Sequence, residues 1–370
     1  MKHKTGLAQG ADYVLFRLPE QSHYTLMAQS SGRAVTLQSL HDLDGREGFV
    51  LAPFVPGKEC PILLLQPDII KQYPVPTAED NAVLTWNPKT TAEEGYKLSF
   101  ARFHDAVTGG RFQKLVLAHQ SILNIPRPTD PDTLFLRACR LYPHQFVALI
   151  VMQGAGIWLM ATPEVLLEGK GLQWQTMALA GTMTAQKEQQ AMTVEALRQA
   201  NIAWSRKNLN EQDLVTQYIV GLLRDNVRQL QTTGPYTTKA ANLLHLRTDI
   251  RFQLSDSSRL GSLLDKLHPT PAVCGMPKDE ARQWIGENEG LERRYYSGFC
   301  GTLCPQGESH LFVALRCMQL HSDTATLYAG GGIVADSQLQ SEWSEIENKL
   351  QTMQNVLDAS RQEPDDYVQR

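Results

Sequence analysis

Three carboxylates and a lysine fall within nine residues in SEWSEIENK (341–349), directly after the glycine-rich run AGGGIVADS. On a helix, Glu342, Glu345 and Lys349 share one face at i, i+3 and i+7, and Glu347 points elsewhere. Two readings stand. One is a solvated amphipathic helix with Glu345 and Lys349 as an i,i+4 pair worth about 0.2–0.5 kcal/mol. The other is half of an oxygen cage for Mg²⁺, which favours one or two carboxylates together with waters and an anionic substrate. The second reading needs another acidic cluster, and SRKNLNEQDLVTQYI (205–219) supplies one. There, helical spacing puts Asn208 and Glu211 on one face and rotates Gln212 and Asp213 away, while Leu214, Val215, Tyr218 and Ile219 form an apolar side that packs on a core.

Elements must hold these clusters, and the composition says how many there can be. The chain has 370 residues, 42% of them hydrophobic, enough for a sizeable core in one large domain or two ordinary ones. Its 35 Lys and Arg against 39 Asp and Glu leave a net charge of −4, without a polybasic tract, so nucleic acid is not an expected partner. Six cysteines (Cys60, Cys139, Cys274, Cys300, Cys304, Cys317) contain no CxxC pair and read as reduced thiols. No apolar leader segment follows the basic N-terminus and no long uninterrupted apolar run occurs, so the expectation is a cytoplasmic chain that does not span a membrane.

Strand-like segments recur along the chain: DYVLFRL, FVLAPF, CPILLLQ, KLVLAHQSIL, FVALIVM, GIWLMATPEVLLEG, HLFVALRCMQL and TATLYAGGGIV. Helical candidates lie between them: AEEGYKLSFARFHDAVTGG, KEQQAMTVEALRQA, SRKNLNEQDLVTQYIVGLLRDNVRQL, SLLDKLHP, KDEARQWIGEN and QSEWSEIENKLQTMQNVLDAS. Helices intervening between strand groups predict an α+β fold. A proline-bearing stretch, KQYPVPTAEDNAVLTWNPKTTAEEGY, reads as a linker or a surface loop. It divides a strand-rich part (1–80) from a catalytic region (90–357), with a tail at 358–370.

Taken together, FQKLVLAHQ, TPEVLLEG, MALAGTMT, SRKNLNEQDLV, LLHLRTDI, HPTPAVCGMP, RRYYSGFCG, FVALRCMQL, YAGGGIVADS and SEWSEIENKL resemble the chorismate-utilising enzymes of menaquinone, siderophore and tryptophan synthesis, in order and in approximate spacing from about residue 90 to 355. The resemblance implies one large α+β domain with two stacked, antiparallel-rich sheets wrapped by helices. It also implies chorismate as substrate, Mg²⁺ as cofactor and a monomer. Lys114 sits where water-using members carry a lysine and ammonia-using members a glutamine, which implies water as nucleophile and isochorismate as product. A lysine whose pKa is lowered by burial can take a proton from water, which glutamine cannot do. From the strand pattern alone, Lys114 reads first as an edge-strand lysine that blocks aggregation. Ala180 stands where aminodeoxychorismate synthases carry a nucleophilic lysine and cannot form a covalent adduct.

Glu164 matches the family's S/T-P-E motif, which makes it the general acid for the departing C4 hydroxyl, kept protonated by apolar neighbours. For the dianionic substrate the resemblance brings in Arg316, Lys349, Tyr296, His245, Thr182 and Ala272. It adds the glycines Gly181, Gly330 and Gly332, whose backbone N–H groups an anion can approach. Glu211 and Glu345 are then the ligands of Mg²⁺, with Glu342 acting through water. Asn208 stands where relatives commonly place a second acid, and Gln212 replaces a usual histidine. Salicylate synthases share the lysine and the glutamate but tend to carry threonine at the position of Ala272. That leaves a salicylate-forming enzyme, or a non-catalytic binding protein on the same fold, as the alternatives.

Overall fold

Residues 7–8, 10–77, 93–125, 130–240 and 243–358 are described by a computed structural model of the chain. The centre of the expected linker (78–92) and the tail beyond 358 lie outside them.

Eighteen strands form two nine-stranded sheets in which every pairing of named strands is antiparallel. The first sheet contains β1 (Tyr13–Arg17), β2 (His23–Ala28), β6 (Ile69–Pro74), β7 (Lys114–Asn124), β8 (Phe146–Met152), β9 (Gly156–Thr162), β14 (Gly275–Met276), β17 (Cys317–Leu320) and β18 (Thr324–Ile333). The second contains β3 (Val35–Leu37), β4 (Gly48–Ala52), β5 (Ile62–Leu65), β10 (Val165–Lys170), β11 (Gln173–Thr184), β12 (Arg228–Ala240), β13 (Leu243–Gln253), β15 (Phe299–Leu303) and β16 (Glu308–Val313). The six strands between Tyr13 and Pro74 are shared between both sheets, so they have no core of their own.

Alternation along the strands explains the layering. In β1 and β8, Val14, Phe16, Phe146, Ala148 and Ile150 face the second sheet, where they meet Phe49, Leu51, Leu63 and Phe312. Phe146 and Phe312 stack across the gap with ring centroids 4.2 Å apart. The intervening Leu15, Val147 and Leu149 turn outward into a second core with α1 (Glu93–Thr108), α2 (Pro131–Leu141), α7 (Lys278–Asn288) and α8 (Leu339–Leu357). Burial on both faces is why FVALIVM is continuously apolar. The far side of the second sheet is covered by α5 (Arg206–Arg224) and α6 (Leu260–Leu267). The result is an α+β sandwich of four layers.

Two apolar stretches that read as single strands are each broken. In GIWLMATPEVLLEG, β9 belongs to the first sheet and β10 to the second, and the chain passes between them at Pro163 and Glu164. In HLFVALRCMQL, β16 belongs to the second sheet and β17 to the first, with the crossing at 314–316. Arg316 takes φ 47° there, a left-handed conformation rare for a residue with a side chain. The helical candidate KEQQAMTVEALRQA splits likewise into α3 (Lys187–Gln190) and α4 (Val194–Gln199), the second capped by Thr193, whose hydroxyl accepts from Ala196 N–H.

Candidate functional site

One cavity is walled by both sheets and by α5 and α8. Its lining includes Lys114, Glu164, Gly181, Thr182, Glu211, His245, Ala272, Tyr296, Arg316, Gly330, Gly332, Glu345 and Lys349. Thirteen of the fourteen residues singled out from the sequence therefore meet, although they come from ten separate segments. Glu342 is the exception. It is buried behind the wall, where Lys207 Nζ bonds to its Oε1 at 2.5 Å.

Glu164 stands at the first crossover and Arg316 at the second, so the passage of the chain between the sheets delivers an acid and a cation to the same space. Burial pushes the Glu164 carboxyl up to about 7, against the lowering effects of a Thr270 hydroxyl that donates to Oε1 at 3.3 Å and of the Lys114 and Lys349 charges. Near neutral pH a large share of this carboxyl keeps its proton.

Lys114 opens β7 and is 1% exposed. Far from lying on a solvated edge, it points into the cavity, with Nζ 2.8 Å from Glu211 Oε1. Room for this pair comes from β18. A Cβ at Gly332 would stand 2.7 Å from Glu211 Oε1 and 2.7 Å from Lys114 Cε, and one at Gly330 would stand 2.4 Å from the Tyr296 hydroxyl. Both glycines lie in the ladder opposite Val116 and Ala118. Their absent side chains give the site this room, and Gly330 adds its carbonyl, which accepts from Lys349 Nζ at 2.7 Å. Gly181 differs: it takes φ +66° at a bulge in β11, where the register against β13 shifts between Ala180 and Thr182.

The bulge serves His245. Burial drives its pKa down to about 3, helped by the Arg316 and Lys349 charges, so the ring is neutral. Its Nδ1 lies 3.2 Å from the Gly181 carbonyl and its Nε2 3.4 Å from Arg316 Nη2. A neutral ring with its proton on Nδ1 donates to the first and accepts from the second, which orients the guanidinium. Among the described residues no carboxylate stands within ion-pair distance of Arg316. It is a buried cation, 6% exposed, facing the cavity.

On α8, Glu345 and Lys349 pair at 2.5 Å, and although burial opposes it, Lys349 holds the Glu345 pKa below the ordinary value. Glu342 is raised by burial and by the charge on Glu345. Lys207, which the sequence reading passed over, lies among all three acids: burial works against its charge, but Glu342 first, then Glu211 and Glu345, hold its pKa above normal. Gln212, named in the sequence only as standing in for a histidine, has a packing role that was missed. It belongs to the buried stripe Gln212, Val215, Ile219 and Leu223, and its amide accepts from Ala180 N–H at 2.8 Å and donates to the Ala178 carbonyl at 3.1 Å. A polar residue in an apolar helical stripe was the available signal, and its function is to dock α5 on β11 so that Glu211 faces the cavity. Asn208 is engaged with the Thr182 carbonyl at 3.4 Å.

The sequence profile described as chorismate binding enzyme matches residues 65–358. The chain is 28% identical over 370 residues to the isochorismate synthase DhbC of Bacillus subtilis (strain 168), a match that covers 96% of this chain and 92% of that one. It is 30% identical over 245 residues to the isochorismate synthase EntC of Escherichia coli (strain K12), with 66% and 62% covered. Among solved structures, the menaquinone-specific isochorismate synthase MenF of Escherichia coli superposes with a TM-score of 0.77 at 22% identity, covering 95% of this chain and 89% of that one, which is a likeness of fold. The profile match takes in every strand and helix that contributes to the cavity, and on that ground the chain belongs to the chorismate binding enzyme family.

Proposed function

We propose that this chain is an isochorismate synthase, adding water at C2 of chorismate and expelling the C4 hydroxyl. The observation that carries the proposal is the pairing, in one buried cavity, of a lysine with a glutamic acid whose pKa lies near 7. In its neutral amine form Lys114 takes the proton from the attacking water and becomes the ammonium that pairs with Glu211, and Glu164 gives its proton to the leaving hydroxyl. Arg316, oriented by neutral His245, and Lys349 meet the substrate carboxylates, and burial of the cavity strengthens both interactions. Family members with glutamine in place of Lys114 use ammonia, so the lysine supports water as nucleophile.

Mg²⁺ fits the donor set. Glu211 and Glu345 line the cavity from two different helices, and the Lys207 ammonium, bonded to Glu342 and attracted also by Glu211 and Glu345, supports a place for positive charge beside these acids. Glu211 and Glu345 would hold the ion, with Glu342 behind them, and the bound ion would supply positive charge against the ring carboxylate.

Product analysis tests the proposal. Purified protein incubated with chorismate and Mg²⁺ should yield isochorismate in a reversible equilibrium, resolved from salicylate and anthranilate by chromatography. Salicylate and pyruvate as the main products would move the chain to the salicylate-forming branch, and anthranilate with ammonium as nitrogen source would remove the role given to Lys114.

A further inference from the structure

The strand that carries Lys114 is paired on one side by β18 from Leu115 to Asn124, Thr324 standing opposite Asn124 and Ile333 opposite Leu115. On its other side the pairing is short. Gly275 and Met276 of β14 stand opposite Leu115 and Lys114, and Val116 N–H bonds to the Cys274 carbonyl at 2.7 Å. Before Cys274 the chain leaves the ladder to bring Ala272 to the cavity wall. It cannot line the cavity and continue the strand at once, so the next two backbone groups of β7 lack a strand partner.

Two side chains take that place. Glu289 Oε1 accepts from Ala118 N–H at 2.7 Å, and Arg293 Nη2 donates to the Val116 carbonyl at 2.7 Å. The two are locked to each other by a bidentate pair, Nε to Oε2 at 2.6 Å and Nη2 to Oε1 at 2.6 Å, and both side chains are at least 98% buried. Arg293 Nη1 also bonds to the Val273 carbonyl at 2.6 Å, next to Ala272, and the Arg293 carbonyl accepts from Tyr296 N–H at 2.9 Å. Phe54 stacks its ring 4.4 Å from the guanidinium carbon. Thus one ion pair holds the backbone just after two cavity residues, Lys114 and Ala272, and the main chain of Arg293 itself turns into a third, Tyr296.

We infer that Glu289 and Arg293 are positioning residues for the reaction, a surrogate piece of strand that fixes Lys114 against Glu164 where the true strand has turned away. A buried ion pair held only for stability is replaceable by apolar side chains of similar volume, often without loss. Such a replacement here would leave Ala118 N–H and the Val116 carbonyl unpaired and free Lys114 to shift, and displacement of a general base by about 1 Å costs on the order of a hundredfold in rate. The inference rests on the isochorismate synthase reading, in which Lys114 is the base.

The test compares kcat and KM for chorismate, per folded molecule, in the wild type, in Glu289→Gln, in the double variant Glu289→Met with Arg293→Met, and in Leu134→Ala, a core truncation on α2 remote from the cavity. Glu289→Gln keeps volume but removes the charge that locks Arg293 in its bidentate pair, so it loosens the pair and serves if the double variant does not fold. The expected result is a fall in kcat of tenfold or more in the Glu289 variants with KM within about twofold, and an unchanged kcat in Leu134→Ala at equal or greater loss of thermal stability. A kcat within twofold of wild type in Glu289→Gln, or an equal loss in Leu134→Ala, overturns the positioning role. A wild-type protein that forms isochorismate by a route indifferent to Lys114→Gln overturns the reading beneath it instead, and a wild type inert toward chorismate removes both.

Discussion

A carboxylic acid that donates a proton at neutral pH must be kept from ionising, and burial does this for Glu164. The consequence is opposed effects on activity and stability. The unfolded chain releases this proton near 4.5 and the folded chain near 7. Between those values the folded state holds more protons, so the contribution of this group to stability declines as pH rises from about 4.5 to about 7 and is level above that. Glu164→Gln removes the buried charge. It should raise the denaturant midpoint relative to wild type at pH 8 and much less at pH 5, while lowering kcat by roughly 10²–10⁴-fold, because a carboxamide cannot protonate a leaving hydroxyl. A midpoint difference that is the same at both pH values would show that the carboxyl titrates normally. In the wild type, kcat should fall above about pH 7 as the acid is lost. The motif around Glu164 was legible in the sequence, and so was the value of its apolar neighbours. Its place at a crossing between sheets was not, because the apolar pattern of GIWLMATPEVLLEG runs unbroken through the point where the chain changes sheets.

The elements show the same division. Strands and helices with a strong local pattern, such as FVALIVM and KDEARQWIGEN, fall where periodicity puts them. The long strands β11, β12 and β13 were not read from the sequence, because their threonines, glutamines and charged residues interrupt any apolar alternation. β12 is largely exposed, and its pairing to β13 is a matter of tertiary context. The glycines of β18 were legible as glycines, but the steric reason for them was not. Two residues apart on one face of a strand, Gly330 and Gly332 open a slot in the first sheet into which Tyr296 from one direction and Lys114 with Glu211 from the other can reach. Gly332→Ala places a methyl group inside that slot. It should disrupt the Lys114–Glu211 pair and lower kcat by at least tenfold, with the strand and the fold retained, since β18 remains fully paired to β7. Circular dichroism and kcat measured on the same preparation check this: a Gly332→Ala protein of normal rate would mean that the glycine serves only backbone packing.

At the scale of the whole molecule, the cavity lies where opposite layers are tied by charge. Helix α5 packs on the outer face of the second sheet and α8 on that of the first, yet both turn acids toward the same space. Lys207 of α5 bonds to Glu342 of α8, and Glu211 of α5 bonds to Lys114 of β7, so two ion pairs already bridge the layers. A Mg²⁺ ion held by Glu211 and Glu345 would join the same helices and, binding the folded chain alone, would stabilise it by about 2.7 kcal/mol at free ion roughly a hundredfold above its Kd. The melting temperature should therefore rise by a few degrees with saturating Mg²⁺ and return on addition of EDTA, together with loss and recovery of turnover. Glu345→Gln keeps the shape of the side chain and removes its charge, so it should abolish the Mg²⁺-dependent shift while leaving a folded protein. Lys207 bears on the same acids, because its ammonium is bonded to Glu342 and attracted by Glu211 and Glu345. Lys207→Met should lower the melting temperature in EDTA by leaving Glu342 buried without its partner, and the deficit should shrink as Mg²⁺ is added. A deficit that stays constant across the Mg²⁺ titration would mean that lysine and metal do not share these carboxylates, and full turnover after exhaustive chelation would remove the metal from the site altogether.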